Sequence, residues 1–199
     1  MRAAEIDAVT LDAYDTLLTL VDPLPRLQAL LPAHGEEAIR NAFLAEAAYY
    51  RAHSWEARDD ASTAVFHAAC ARTFNEELGS SLSPDEYNGT MQFEPLPEVV
   101  DALEQLRSLG LSLAVVGNWD FSLNRRLEEN GLTGFFATVV PAANKPAPDG
   151  ILQALAALGV EPARALHVGD DPSDEEAART AGVHFAPAPL PAAVAALLA

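Results

Sequence analysis

The sequence predicts an α/β protein: a doubly wound, Rossmann-like parallel sheet with an all-helical segment inserted after the first strand. Three observations carry that expectation. Strand-like and helix-like stretches alternate through the second half of the 199 residues, the rhythm of right-handed β–α–β crossovers. Near the N-terminus the run Val9-Thr10-Leu11 is aliphatic and β-branched, as a strand buried on both faces of a parallel sheet must be. That run ends in Asp12, and three later strand ends are equally polar, which puts reactive side chains at the edge where such sheets bind ligands.

The first segment, VTLDAYDTLLTL, reads as a buried strand that delivers Asp12 into a sharp polar turn. From Val21 to Met91 no convincing strand is legible. Helical stripes such as AIRNAFLAEAAYY and STAVFHAACARTF fill this stretch, and turn-rich edges at Asp22-Pro23 and Phe93-Glu94-Pro95 bound it. The expected organisation is therefore an α/β core from residues 1–20 and 92–199 with a helical cap over 21–91. Pro97–Gly110 has Val99, Val100, Leu103 and Leu106 at helical spacing, with proline at its start and glycine at its stop. Leu111–Val116 reads as a strand, Ser122–Asn130 as a helix closed by Gly131, and Phe135–Val140 as a strand. Asp149–Leu158 and Ser173–Thr180 read as helices around a strand at Ala163–Val168, and Gly182–Pro187 as an edge strand. The tail APAPLPAAVAALLA reads as compositional bias ending in a short helix.

Composition excludes several classes. A formal charge of −17 opposes a sequence-independent nucleic-acid surface or an anionic membrane, both of which need a basic face. Cys70 is the single cysteine, which rules out an internal disulfide framework and fits a reducing compartment. No apolar run reaches membrane-spanning length, and MRAAEID lacks a signal-peptide core. The expectation is a cytoplasmic protein acting on a small molecule, with no nucleic-acid or membrane partner and an oligomeric state the sequence leaves open. His67 and Cys70 fall three apart on one helix, but two ligands do not make a zinc site, so they read as packing. The aromatic cluster of Tyr49, Tyr50, Arg51, His53 and Trp55 reads as interior of the cap.

Four segments carry the chemistry. Asp12-Ala13-Tyr14-Asp15-Thr16 follows the first strand, and Val115-Val116-Gly117-Asn118 ends the second strand of the core. Lys145 heads Lys145-Pro146-Ala147-Pro148-Asp149 and is the only lysine in the chain. His167-Val168-Gly169-Asp170-Asp171-Pro172-Ser173-Asp174 ends the strand before the last core helix. Aspartate, polar turn, lysine and acidic cluster in this order resemble the four motifs of the haloacid dehalogenase-like hydrolase superfamily over the whole chain.

That resemblance implies roles. Asp12 is the expected nucleophile, and Lys145 the cation that neutralises it and the substrate. Mg²⁺ is the expected cofactor, held by Asp12, Asp170 and the main-chain carbonyl of Tyr14, with Asp174 acting through water or as support. Tyr14, Thr16, Gly117 and Asn118 are expected to border the substrate, and the Gly117 and Asn118 amides to cradle an anion. The chain departs from the pattern twice. Tyr14 replaces a second aspartate that serves family phosphatases as general acid and base, and Gly117 replaces a hydroxyl residue. Asp15, one residue out of register, is expected to make turn hydrogen bonds rather than substitute. A Mg²⁺-dependent phosphatase is the leading implication. A catalytically weak binding or regulatory protein is one alternative. A metal-independent 2-haloacid dehalogenase, with Arg26 or Arg40 as its halide-binding arginine, is the other.

Overall fold

The computed structural model describes residues 3–199; residues 1 and 2 of the first predicted core segment lie outside it. Strands β1 (Ala8–Leu11), β4 (Ser112–Val116), β5 (Thr138–Val140), β6 (Ala165–Gly169) and β7 (His184–Pro187) form one sheet in the order β5-β4-β1-β6-β7. All its pairs are parallel, with Leu11 in register with Val115 on one side and Val168 on the other. β1 is thus central, and the strand-terminal residues 12, 117 and 170 emerge along one edge.

Period-2 alternation sorts the strand residues between two helical layers. Val9, Leu11, Leu113, Val115, Leu166 and Val168 pack with helices α5 (Val99–Ser108), α6 (Leu123–Glu129) and α9 (Leu190–Leu198). On the other face the small residues Ala8, Ala114 and Ala165 meet α7 (Asp149–Leu158) and α8 (Pro172–Ala181). Small residues bring these helices close: a Cβ at Gly150 of α7 would lie 2.7 Å from the Ala143 Cβ. The α7/α8 face is therefore the one on which side chains from strand and helix come close enough to pair.

Between β1 and β4 the chain forms helices α1 (Leu24–Leu30), α2 (Glu36–His53), α3 (Asp60–Leu78) and α4 (Pro84–Gly89). They enclose their own apolar centre, which includes Leu27, Ile39, Phe66, Phe74 and Tyr87. Reciprocal Asp59–Ser62 bonds start α3, and Gly79 in the left-handed region ends it. Cys70 is buried there. Burial, then the charge of Glu46, pushes its thiol far above the ordinary value, so it is inert.

Three expectations need correction. One edge of the helical stretch is not a turn: Asp22-Pro23 falls in the connection between β2 (Leu18–Val21) and α1, but Phe93-Glu94-Pro95 lies in β3 (Gln92–Pro95), which pairs with β2 as an antiparallel ribbon. Pro95 tolerates this because it ends its strand in a two-stranded ribbon, where a missing N–H breaks no second ladder. Phe135 belongs to a short 3-10 turn, Thr133–Phe135, so β5 starts only at Thr138. The Ala/Pro-rich tail is a core element: Leu190, Ala193, Val194 and Leu197 of α9 are buried in the α5 layer. No helix among the described residues is long and apolar enough to cross a membrane.

The burial of α9 predicts that Leu197→Ala lowers the unfolding free energy by about 2–3 kcal/mol in a urea titration, the usual cost of a large-to-small core change. An unchanged midpoint would return the tail to an ornamental role.

Candidate active site

Residues at the ends of four of the five sheet strands converge on one ammonium group. Lys145 Nζ lies 2.5 Å from Asp12 Oδ1 and 2.5 Å from Asp174 Oδ1, and donates to the Val116 carbonyl at 2.8 Å. Three donors meet three acceptors. Lys145, Asp12 and Asp174 are all buried. Burial alone would lower the lysine, but the charges of Asp12 and Asp174 outweigh it and hold it above its ordinary value. Burial raises Asp174 too, yet the His167 hydrogen bond and the Lys145 charge bring it down to about 2. Asp12 fares worse: burial pushes its carboxyl up by more than Lys145 pulls it down, and the Asp174 charge adds to the rise.

His167 completes a buried chain beneath this trio, a role that nothing in its local sequence signals. It lies on the α8-facing side of β6, as Thr10 does on neighbouring β1. Its Nδ1 is 2.9 Å from Thr10 Oγ1 and its Nε2 is 3.3 Å from Asp174 Oδ1. A carboxylate only accepts, so Nε2 carries the proton and Nδ1 accepts from the threonine. Burial pushes His167 below its ordinary value, consistent with that neutral tautomer. Asp174 has its second oxygen taken as well, accepting from the Asp171 amide at 3.1 Å. Gly169 makes room for it, since any Cβ there would collide with the Asp174 side chain.

Asp170 is exposed at the mouth, and Thr16, buried, donates to its Oδ1 at 3.4 Å. Partial burial, then the charge of Asp174, push Asp170 up, with Asp15 and Asp171 adding to the rise. Asp12, Asp170 and Asp174 each offer an oxygen within 4.8 Å of the others. Several carboxylates around one lysine suit a divalent cation with hard oxygen ligands, so the donor set fits Mg²⁺. With both Asp174 oxygens held by the protein, Asp12 and Asp170 are the better-placed ligands.

The remaining sequence-predicted residues divide. Asn118 grips the lysine segment: the Lys145 amide donates to its Oδ1 at 2.7 Å, and its Nδ2 donates to the Lys145 carbonyl at 2.9 Å. Tyr14 is 46% exposed and packs edge-on against Trp119, ring centroids 6.3 Å apart. Asp15, at φ 54°, accepts from Thr19 Oγ1 at 3.0 Å, the turn role expected of it. The Gly117 amide does not face an anion. It donates to the Val140 carbonyl at 3.1 Å, extending the β4–β5 ladder. Arg26 is bound to the carbonyls of Thr90 and Val21 beside the ribbon, and Arg40 pairs with Glu36 on the exposed face of α2. His67 is not mere packing: it reaches Asp120, as does Tyr50.

Comparisons with known proteins agree with this geometry. A family model described as haloacid dehalogenase-like hydrolase matches residues 6–182. Human haloacid dehalogenase-like hydrolase domain-containing protein 3 is 30% identical over 203 residues, covering 90% of this chain and 80% of its own. The phosphoglycolate phosphatase of Aquifex aeolicus is 39% identical over 104 residues, 50% of this chain; the match spans only 49% of that relative's length. Among solved structures, the L-2-haloacid dehalogenase RSc1362 superposes with a TM-score of 0.76 at 23% identity, over 98% of this chain and 99% of that one; it speaks to the fold alone. A HAD phosphatase from Thermococcus onnurineus gives 0.63 at 26% identity, over 90% and 85%. The chain belongs to the haloacid dehalogenase-like hydrolase family.

The Asp174 environment sets a pH signature. Its folded value of about 2 lies below the ordinary 3.8, so its ionised form contributes stability above about pH 4 that disappears as pH falls through about 2. Wild type should exceed Asp174→Asn by about 2 kcal/mol near neutrality, and that margin should close between about pH 4 and pH 2. Denaturation across this range checks it, and a margin independent of pH would contradict it.

Proposed function

We propose that this protein is a Mg²⁺-dependent phosphatase for a small phosphorylated metabolite, working in the cytoplasm through an aspartyl-phosphate intermediate. The observation that carries the reading is the buried Lys145 ammonium shared by Asp12 and Asp174, with Asp170 at the mouth. Phosphoglycolate heads the candidate substrates, because similar proteins bear that activity in their names. We read the four-helix segment as a cap that excludes water from this site.

In this reading Lys145 fixes Asp12 Oδ1, and Oδ2 attacks phosphorus as the ester P–O bond breaks. Water then attacks phosphorus of the aspartyl phosphate, returning the Asp12 carboxylate and inorganic phosphate. Lys145 balances charge on Asp12 and on the phosphoryl oxygens throughout. Mg²⁺, held by Asp12, Asp170 and the Tyr14 carbonyl, would add further neutralisation of the phosphoryl group when bound. Tyr14 is a poor replacement for the acid. Burial, then the charge of Asp15, raise its phenol above the ordinary value, so the leaving alkoxide must take its proton from solvent.

A catalytically weak binding protein is the second reading, favoured by Tyr14 and by the Gly117 amide being committed to the sheet. Chloride release from 2-chloropropionate would instead mark a dehalogenase.

Two outcomes are expected. Calorimetry should show Mg²⁺ binding that Asp170→Ala weakens far more than Asp174→Ala; equal losses, or no binding to wild type, would contradict the ligand set. Mg²⁺-dependent hydrolysis of p-nitrophenyl phosphate should vanish in Asp12→Asn. In Tyr14→Asp hydrolysis should rise least for this good leaving group and most, by up to the ~10²–10⁴ of general acid–base catalysis, for esters whose leaving groups are poor. Adding Gly117→Ser is a fair companion only if Leu123 yields, since a Cβ there lies 3.2 Å from its Cδ2. If no phosphate ester turns over faster in Tyr14→Asp or in the double variant than in wild type, the binding-protein reading moves ahead.

A further inference from the structure

The loop between β4 and α6 is held from two directions. On the core side Asn118 clasps both main-chain polar groups of Lys145, accepting at 2.7 Å and donating at 2.9 Å. On the other side the helical segment closes on the same few residues. Tyr50 of α2 donates to Asp120 Oδ2 at 2.8 Å, and His67 of α3 reaches that oxygen at 3.0 Å. The Asp120 amide returns a bond to the Tyr50 hydroxyl at 3.2 Å. Ser54 Oγ donates to the Asn118 carbonyl at 3.3 Å, and the Phe121 amide to the Ala57 carbonyl at 2.9 Å. The other Asp120 oxygen accepts from the Ser122 amide at 2.7 Å. Between the two clasps, Trp119 is buried against Phe93 of β3.

Asp120 is 1% exposed. Burial alone would raise its carboxyl, but the hydrogen bonds from His67 and Ser122 hold it below the ordinary value. Burial and the Asp120 charge raise the Tyr50 phenol well above its own ordinary value, so the hydroxyl stays a donor. A buried carboxylate of this kind is stable only with its full set of partners in place. Here the partners sit on two helices of the inserted segment, while the carboxylate sits two residues from Asn118.

We propose that Asp120 is a positioning residue: it locks the helical segment to the β4–α6 loop, so that the segment cannot lift from the site without loosening Asn118 and, through it, Lys145. The coupling is a statement about this chain's own contacts. Only its kinetic consequence rests on the phosphatase reading. Tyr50 packs against the core layer and against the helical centre alike, which gives the lock no slack on the α2 side. Lys145 hangs from a short loop whose conformation includes left-handed Ala142 and Asn144, a backbone that non-glycine residues hold only when neighbours fix it.

Hydrogen exchange followed by mass spectrometry tests the coupling without reference to activity. In Asp120→Ala, peptides covering residues 141–149 should exchange about tenfold faster than in wild type, the effect of losing one charge-assisted bond from a local opening equilibrium. Residues 50–67 should also exchange faster, while peptides from α8 stay at the wild-type rate. Asp120→Asn, which keeps an acceptor but loses the charge, should fall between. If Asp120→Ala does not unfold cooperatively, Tyr50→Phe removes one hydroxyl from the network with its packing kept, and should give the same pattern at lower amplitude. Faster exchange confined to 50–67, with 141–149 unchanged, would overturn the proposal whatever the enzyme's activity. On the best phosphate ester, kcat should drop in the same variant order by more than KM changes. Exchange coupling without that kinetic order would leave the lock in place and refute its role in the reaction, and an inactive wild type would count against the phosphatase reading alone.

Discussion

A lysine ammonium buried between two carboxylates is the interaction around which this molecule is arranged. Removing such a group from water is costly, and the attraction of one partner seldom offsets it. Lys145 is satisfied because three separate elements each present an acceptor to it: Asp12 after β1, the Val116 carbonyl at the end of β4, and Asp174 in the first turn of α8. None of the three is near it in sequence. Each arrives only if β1 pairs with both β4 and β6 in the observed register, and only if α8 approaches closely enough for Asp174 to lie over Gly169. The electrostatics of the site therefore depend on the sheet. The asymmetry that leaves Asp174 firmly ionised and Asp12 destabilised has the same origin, since Asp174 has His167 and the Asp171 amide as further donors.

Much of this is legible in the sequence. Asp12, Lys145 and Asp170 stand beside local patterns that name their positions: an apolar run that stops abruptly, or a lone lysine set before prolines in an otherwise lysine-free chain. The parallel sheet behind the convergence follows from the β–α alternation, whereas its strand order, with β1 at the centre, is read from the structure. What stayed hidden depended on register or on distant partners. Thr10 and His167 look like ordinary strand residues until β1 and β6 are known to lie side by side with Thr10 opposite His167. The fate of the Gly117 amide depends on β5 reaching Val140 at the right height. The β2–β3 ribbon was masked because Leu18–Val21 continues an apolar stretch and Gln92–Pro95 contains a proline, which argues against strand. The short helix at the end of the tail is legible, but its place in the core is not, because an Ala/Pro-rich stretch carries a weak helical face and only burial against α5 gives that face a purpose.

The helical segment and the core are less separate than their sequence boundaries imply. The segment has its own apolar centre, yet several of its polar contacts leave it and converge on Asp120, Asn118 and Phe121. The loop that begins at Gly117 carries these contacts and the clasp on Lys145. Tyr14, across the mouth, leans on Trp119 of this loop. Gly117 and Tyr14 thus border one structural unit, the loop that also anchors the helices.

The most direct measurement is whether Asp12 becomes covalently phosphorylated. Acid quenching during turnover of a phosphate ester with Mg²⁺, then mass spectrometry of the peptide spanning Asp12, reads this out on the reacting residue itself. The buried Lys145–Asp12 pair predicts a phosphoryl adduct on Asp12 that is absent from Asp12→Asn. Turnover with no adduct at Asp12, or with one on another side chain, would contradict it.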